Sequence, residues 1–193
     1  MNIFLISGPR GSGKTSFCNA LVKTAKERGI LCRGCIEISQ RDENGIPYRI
    51  SLCDVSNGET FLAASRPIGK RDVAFEFSSD AFSYIRESYI QAIKLNAISQ
   101  HAHFGLDKKG KICLIDEIGP LELENSGGHL CFLEFVLRTK DPDALVLTVR
   151  TSLKYPLISF LVNHEISINQ ICNLELDKLT ISSACLDVLS FLE

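Results

Sequence analysis

The chain has no excess of either charge. Its 21 basic side chains stand against 23 acidic ones, a net charge of −2, which argues against a polybasic surface for nucleic acid or membrane. It has no apolar run approaching the ~20 residues of a membrane helix. Met1-Asn2-Ile3 leads straight into an apolar run, without the basic, apolar and small-residue segments of a secretory signal. A cytoplasmic protein is expected, with neither membrane nor nucleic acid as partner. Repeats, low-complexity tracts and linkers are missing too. One domain over residues 1–193 is therefore expected, and a monomer is favoured, with the oligomeric state open. His101, His103, His129 and His164 show no metal-ligand spacing. No N-K-x-D element is present to read guanine.

Cysteine, by contrast, is plentiful: Cys18, Cys32, Cys35, Cys53, Cys113, Cys131, Cys172 and Cys185. In a cytoplasmic protein they stay reduced. Cys32-Arg33-Gly34-Cys35 forms a C-x-x-C, yet no second such pair and no H-x-x-x-H accompanies it. It lies inside the apolar stretch Ile30 to Ile38. These residues read as strand cysteines packing as small hydrophobes, with zinc and redox roles as the alternatives.

Hydrophobic residues make up 45% of the chain, enough for a sizeable core. Strands and helices alternate along it. A strand over 2–7 precedes a helix over 14–28 that Gly29 ends. Strands over 31–39 and Tyr48 to Asp54 flank the turn Asp42-Glu43-Asn44-Gly45 and form a hairpin, with Thr60 to Ala63 as a third antiparallel strand. Residues 64–78 read as irregular. A helix runs from Ser79 or Asp80 to Ser99, and a polar loop from His101 to Gly110. Then come a strand over Lys111 to Asp116, a helix over 128–140 and an apolar strand over Leu145 to Val149. A short helix over Pro156 to Asn163, a strand within Ile168 to Leu176 and a closing helix over Thr180 to Leu192 follow. The expectation is an α/β fold: a mostly parallel sheet flanked by helices, with an antiparallel hairpin inserted after the first βα unit.

The chemistry concentrates at two places. Gly8-Pro9-Arg10-Gly11-Ser12-Gly13-Lys14-Thr15 fits the phosphate-loop pattern G-x-x-x-x-G-K-[ST] at every fixed position, between a strand and a helix as its mechanism requires. Glycines let the loop curl so that its N–H groups converge on phosphate oxygens, and the helix start at Ser16 adds unpaired N–H groups. Lys14 would reach the β- and γ-phosphates, and the Thr15 hydroxyl would hold Mg²⁺. The second place is the strand Lys111-Ile112-Cys113-Leu114-Ile115, which ends in Asp116-Glu117. Asp116 would support the Mg²⁺ ion, and Glu117 would deprotonate the attacking water.

Asp116-Glu117-Ile118-Gly119-Pro120-Leu121-Glu122 resembles the D-E-I-G-x-[ML]-E signature of the small P-loop nucleoside-triphosphatases first described from thermophiles, which include a human cancer-related member. Gly34, Tyr48-Arg49-Ile50, Leu147-Thr148-Val149 and Pro156-Leu157 fit the same family more loosely. The resemblance implies a RecA-like sheet and Mg²⁺-dependent hydrolysis of ATP, GTP, CTP and UTP to the diphosphate and phosphate. It gives Lys14 and Thr15 phosphate and metal, Asp116 the metal and Glu117 the base. Cys35 stands where the family has an aromatic residue, its acidic pair is reduced here to Glu37, and its late asparagine-arginine element is missing from Ile171 to Ser182.

Three further candidates surround these motifs. Glu122 would brace Glu117 or the metal's waters, with a surface acid as the alternative. Thr148 would sense the γ-phosphate from the neighbouring strand end. Arg150 is preferred over Arg10, Arg66 and Arg71 for neutralising transition-state charge, because it follows the apolar strand directly. A kinase using Glu117 as base toward an acceptor hydroxyl, and a nucleotide-gated assembly module, remain the alternative functions.

Overall fold

The computed structural model describes residues 1–100, 110–176 and 178–192. Their strands form one eight-stranded sheet in the order β5-β4-β3-β2-β6-β7-β1-β8. These are β1 (Asn2–Gly8), β2 (Leu31–Arg41), β3 (Pro47–Asp54), β4 (Thr60–Ser65), β5 (Glu76–Phe77), β6 (Lys111–Ile118), β7 (Ala144–Arg150) and β8 (Ile171–Glu175). The pairs β2–β6, β6–β7, β7–β1 and β1–β8 are parallel, whereas β2–β3, β3–β4 and β4–β5 are antiparallel. The expected hairpin insertion is therefore one whole wing of the sheet.

Strand periodicity divides the core into two layers. Ile3, Leu5, Cys113, Ile115, Leu145 and Leu147 face α2 (Ser79–Gln100), α4 (Leu130–Thr139) and α5 (Lys154–Asn163). Phe4, Ile6, Ile112, Leu114 and Val146 face α1 (Lys14–Glu27) and α6 (Ile181–Ser190). The remaining helix, α3 (Pro120–Leu123), is a single turn within the D-E-I-G signature. Every residue of β7 up to Val149 is buried, as a parallel strand covered on both faces should be. Gly34 marks the seam between the wings: its φ is +108°, and a Cβ there would sit 1.9 Å from the Leu114 carbonyl oxygen. Only glycine allows β2 this close to β6.

The cysteine reading resolves on the same alternation. Cys32 packs against the α1–α6 layer and Cys35 against the other, so the pair cannot converge on one ion or form a strand-face disulfide. One strand goes beyond expectation. Phe77 and Glu76 pair with Ala64 and Ser65, which adds β5 inside the stretch read as irregular. The strand expected within Ile168 to Leu176 is β8, which starts at Ile171 after a 3-10 turn over Ile168–Gln170. The loop expected from His101 lies outside the described residues up to position 109. No helix among the described residues is long and apolar enough to cross a membrane.

Candidate functional site

Parallel pairing brings both motifs to one edge. Gly8 pairs with Arg150, and Ile118 with Val149, so the carboxyl ends of β1, β7 and β6 lie side by side. That is where open α/β sheets collect ligands. The loop after β1 takes its shape from Gly11 at φ +82° and Gly13 at φ +92°. Gly13 is the N-cap of α1, in the left-handed conformation. A Cβ on Gly8 would lie 2.4 Å from Ser12 Oγ, so a larger residue there would displace the Ser12 side chain. The Ser12 Oγ atom is buried and has no protein partner, although a buried hydroxyl normally finds one.

Lys14 is only 5% exposed. Its ammonium donates to the Gly8 and Pro9 carbonyl oxygens, each at 3.1 Å, and lies 3.9 Å from Glu117 Oε2. Thr15 and Ser16 are exposed on the first turn of α1. Pro9, Arg10 and Gly11 are exposed on the outer curve of the loop.

Asp116 is almost wholly buried. The Thr148 hydroxyl donates to its Oδ1 at 2.6 Å, the Thr15 hydroxyl bonds it as well, and the Glu37 N–H reaches Oδ2 at 3.4 Å. Burial raises its pKa, and the hydroxyl bonds oppose that rise. Thr148, expected to sense the γ-phosphate directly, therefore has its proton committed to Asp116. Arg150, expected to act on transition-state charge, donates its Nε–H to Glu117 Oε1 at 2.8 Å. Glu117 thus lies between two cations. The Asp116–Glu117 peptide is cis.

Glu122 is not a surface acid, and the Glu117 charge acts on it. It is buried and accepts the N–H groups of Gly119 at 2.8 Å and His129 at 2.9 Å. One carboxylate thereby ties both ends of the loop that follows Glu117. Its pKa is raised by burial and held back by those N–H bonds.

Two residues matter more than the sequence suggested. Glu37 faces the same acids from β2: burial first, then Asp116 and Glu117, push its carboxyl up to about 7, with Arg150 opposing. Its sequence signal is a lone acid within the apolar run after Gly34. His129 is buried and pushed down to about 3 by desolvation, with its ring edge-on to Phe82 and Nε2 3.6 Å from Cys35 Sγ. Nothing local in the sequence marks it. Of the arginines set aside, Arg66 ties the hairpin wing to the loop beyond it, donating to the Pro47 and Arg71 carbonyls at 2.7 and 2.9 Å.

A cleft of about 720 Å³ opens over this edge. It runs from Lys14 and Thr15 past Glu117 and Glu37 to Arg41 and Phe77 on the hairpin wing. Among the described residues no three His, Cys, Asp or Glu side chains are grouped to hold a metal by themselves. The adjacent Thr15 hydroxyl and Asp116 carboxylate are hard oxygen donors. That suits Mg²⁺, which takes one or two protein oxygens and completes its shell with phosphate and water.

Comparison with known proteins gives the family and the fold. A family model for NTPases matches residues 3–182. The nucleoside-triphosphatase THEP1 of Caldivirga maquilingensis is 26% identical over 148 residues, 77% of this chain and 74% of its own length. The solution structure of a human cancer-related nucleoside triphosphatase shares the fold, with a TM-score of 0.63 at 17% identity, over 100% of this chain and 97% of that one.

Proposed function

We propose that this chain, which belongs to the NTPase family and is a nucleoside-triphosphate hydrolase, cleaves the β–γ phosphoanhydride of ATP, GTP, CTP and UTP alike, with Mg²⁺ as cofactor. The observation that carries the reading is the meeting of Lys14 and Glu117, 3.9 Å apart, beside the buried Asp116. The loop N–H groups and the buried Ser12 hydroxyl would bind phosphate oxygens. Lys14 would release its hold on the loop carbonyls for the β,γ-phosphate charge, which is the stronger partner. Thr15 and Asp116 would hold the Mg²⁺ ion, which when bound neutralises charge on the β- and γ-oxygens. Thr148 would keep Asp116 oriented for that task.

Glu117 would accept the proton of the attacking water. Arg150 fixes one of its oxygens and leaves the other toward Lys14, and so toward the γ-phosphate. As charge develops on the transferring phosphoryl group, Arg150 would shift from Glu117 toward it. Glu122 would hold the loop that sets the direction of Glu117. The absence of any N-K-x-D element supports broad base use. The cytoplasmic, monomeric state expected from the sequence belongs to the same proposal.

The test is phosphate release from each of the four triphosphates, with and without excess EDTA. Comparable release from all four, abolished by the chelator, is expected. Undiminished release in EDTA would remove the metal role of Thr15 and Asp116. Release confined to one base would remove the claim of breadth.

A further inference from the structure

The cleft is longer than a substrate bound through the phosphate loop needs. A triphosphate cradled by that loop has its γ-phosphate at Glu117, so its nucleoside extends the other way. That way lies α6: Ile181 flanks Gly13, and Leu176 flanks Gly8. The other arm of the cleft passes Glu117 and crosses onto β2, β3 and β5. With strands about 4.8 Å apart, β3 is roughly 10 Å and β5 roughly 19 Å beyond β6. The substrate's nucleoside cannot reach that arm.

The chemistry of the arm differs from that of the phosphate loop. Beyond Glu37 its lining includes Arg41, Arg66, Ile50, Phe75 and Phe77, and no carboxylate. The Phe75 and Phe77 rings lie 6.3 Å apart at 52°, and Phe77 remains 50% exposed. The Arg66 guanidinium stands 4.3 Å over the Phe75 ring, fixed there by its bonds to Pro47 and Arg71. Arg41 is held by the Gly45 carbonyl at 3.0 Å. Each guanidinium has five N–H donors, so both keep donors for an anion. An exposed ring beside two anchored arginines suits a planar ring that carries a phosphate.

We propose that this arm is a second binding site, for a nucleoside monophosphate. Its base stacks on the exposed Phe77 ring, with the inclined Phe75 ring at its edge, and its phosphate bonds Arg41 and the free donors of Arg66. The ligand lies on the side of Glu117 from which a nucleophile approaches the γ-phosphate. That placement rests on the function proposed above; the binding itself does not.

The chain contains no tryptophan, so Phe77→Trp supplies a single indole inside the arm, excited apart from the tyrosines. The reporter is combined with Lys14→Ala, which disables the phosphate loop, and titrated with AMP, adenosine and inorganic phosphate separately. Saturable quenching by AMP is expected, with adenosine and phosphate each much weaker. Adding Arg41→Ala should weaken AMP roughly 10- to 100-fold, the effect of losing one charge-assisted hydrogen bond. Calorimetry of AMP with the Lys14→Ala chain that retains Phe77 should return the same affinity, which guards against a disturbance by the indole. The proposal is overturned if AMP gives no saturation up to ~1 mM, the weak end of specific binding. It is overturned equally if saturation appears only when Lys14 is intact, or if Arg41→Ala leaves it unchanged. Failure of the hydrolase reading would show instead as absent phosphate release from the wild-type chain, so the two outcomes are separable.

Discussion

The two wings of the sheet are built by opposite rules. In the parallel wing, β1 and β7 are buried along nearly their whole length, and the chemistry sits where the strands stop. In the antiparallel wing, β3 is buried only at Pro47, Leu52 and Asp54, and Ile38, Leu62 and Phe77 stay more than 40% exposed. The first wing fixes atoms: Thr148, Asp116, Arg150 and Glu117 are joined by bonds of 2.6 and 2.8 Å between strands locked on both faces. The second supplies a wall. Fixed side-chain geometry belongs to the doubly covered half, and room for adjustment to the half with one wet face.

The comparison breaks most visibly at Glu117. Glu117→Gln keeps the size and the Arg150 bond but cannot take a proton, so steady-state phosphate release should fall ~10²–10⁴-fold while nucleotide affinity holds. If affinity fell in proportion, Glu117 would act through binding instead, and the fixed-atom description of the parallel wing would be wrong. Lys14→Ala should lower turnover by ~10²–10³-fold through lost phosphate stabilisation, with weakened triphosphate binding by titration. An unchanged rate would end the phosphate-loop assignment.

Packing should separate the wings next. Leu147→Ala on β7 removes a fully buried side chain and should cost about 2–5 kcal/mol in a denaturant titration. Leu62→Ala on β4, at 42% exposure, should stay within about 0.5 kcal/mol. Equal costs would mean that the hairpin wing is packed as rigidly as the other.

The smallest effect is a slope, and it tests the seam between the wings. Glu37 has a carboxyl raised from 4.5 to about 7. Its contribution is complete below the unfolded value and is lost as pH rises through the folded one, so acidification from pH 7 to 4.5 stabilises. His129 is lowered from 6.5 to about 3. Its contribution is complete above 6.5 and is lost as pH falls toward 3, so acidification destabilises. Each approaches about 1.4 kcal/mol per pH unit where both titrate, and the signs oppose. Between pH 5 and 6.5 the two should largely cancel in the wild type. Glu37→Gln should expose a loss of stability on acidification, and His129→Gln a gain. Three parallel curves in urea unfolding at several pH values would show that neither group carries its shift.

Legibility in the sequence follows the same division. Gly8 to Thr15 and Asp116-Glu117 could be read because local rules set them: glycines at fixed offsets, acids at the end of an apolar run. The mostly parallel sheet could be read because β6 and β7 are continuous hydrophobic strings. Arg150 follows an apolar strand in the sequence, yet its bond to Glu117 depends on the register of β7 against β6, which no single segment encodes. Glu37 and His129 owe their properties to burial by distant elements. The strand β5 is two residues long and has no periodicity to detect. Glu122 could be noticed but not assigned, because its partners are backbone N–H groups seven and three residues away.

Thr148 and Arg150 have a consequence for how the gene can vary. They lie two positions apart on one face of β7, and each holds one member of the adjacent acid pair on β6. Adding or deleting a single codon between Ala144 and Arg150 would turn every following side chain to the opposite face and detach both acids at once. The stretch from Ile68 to Ala74, mostly exposed and outside any strand or helix, carries no such phase. Libraries with single-codon insertions should therefore recover functional clones at 68–74 and none within 144–150. The reading frame of that one strand, more than the identity of its apolar residues, is what selection has to keep.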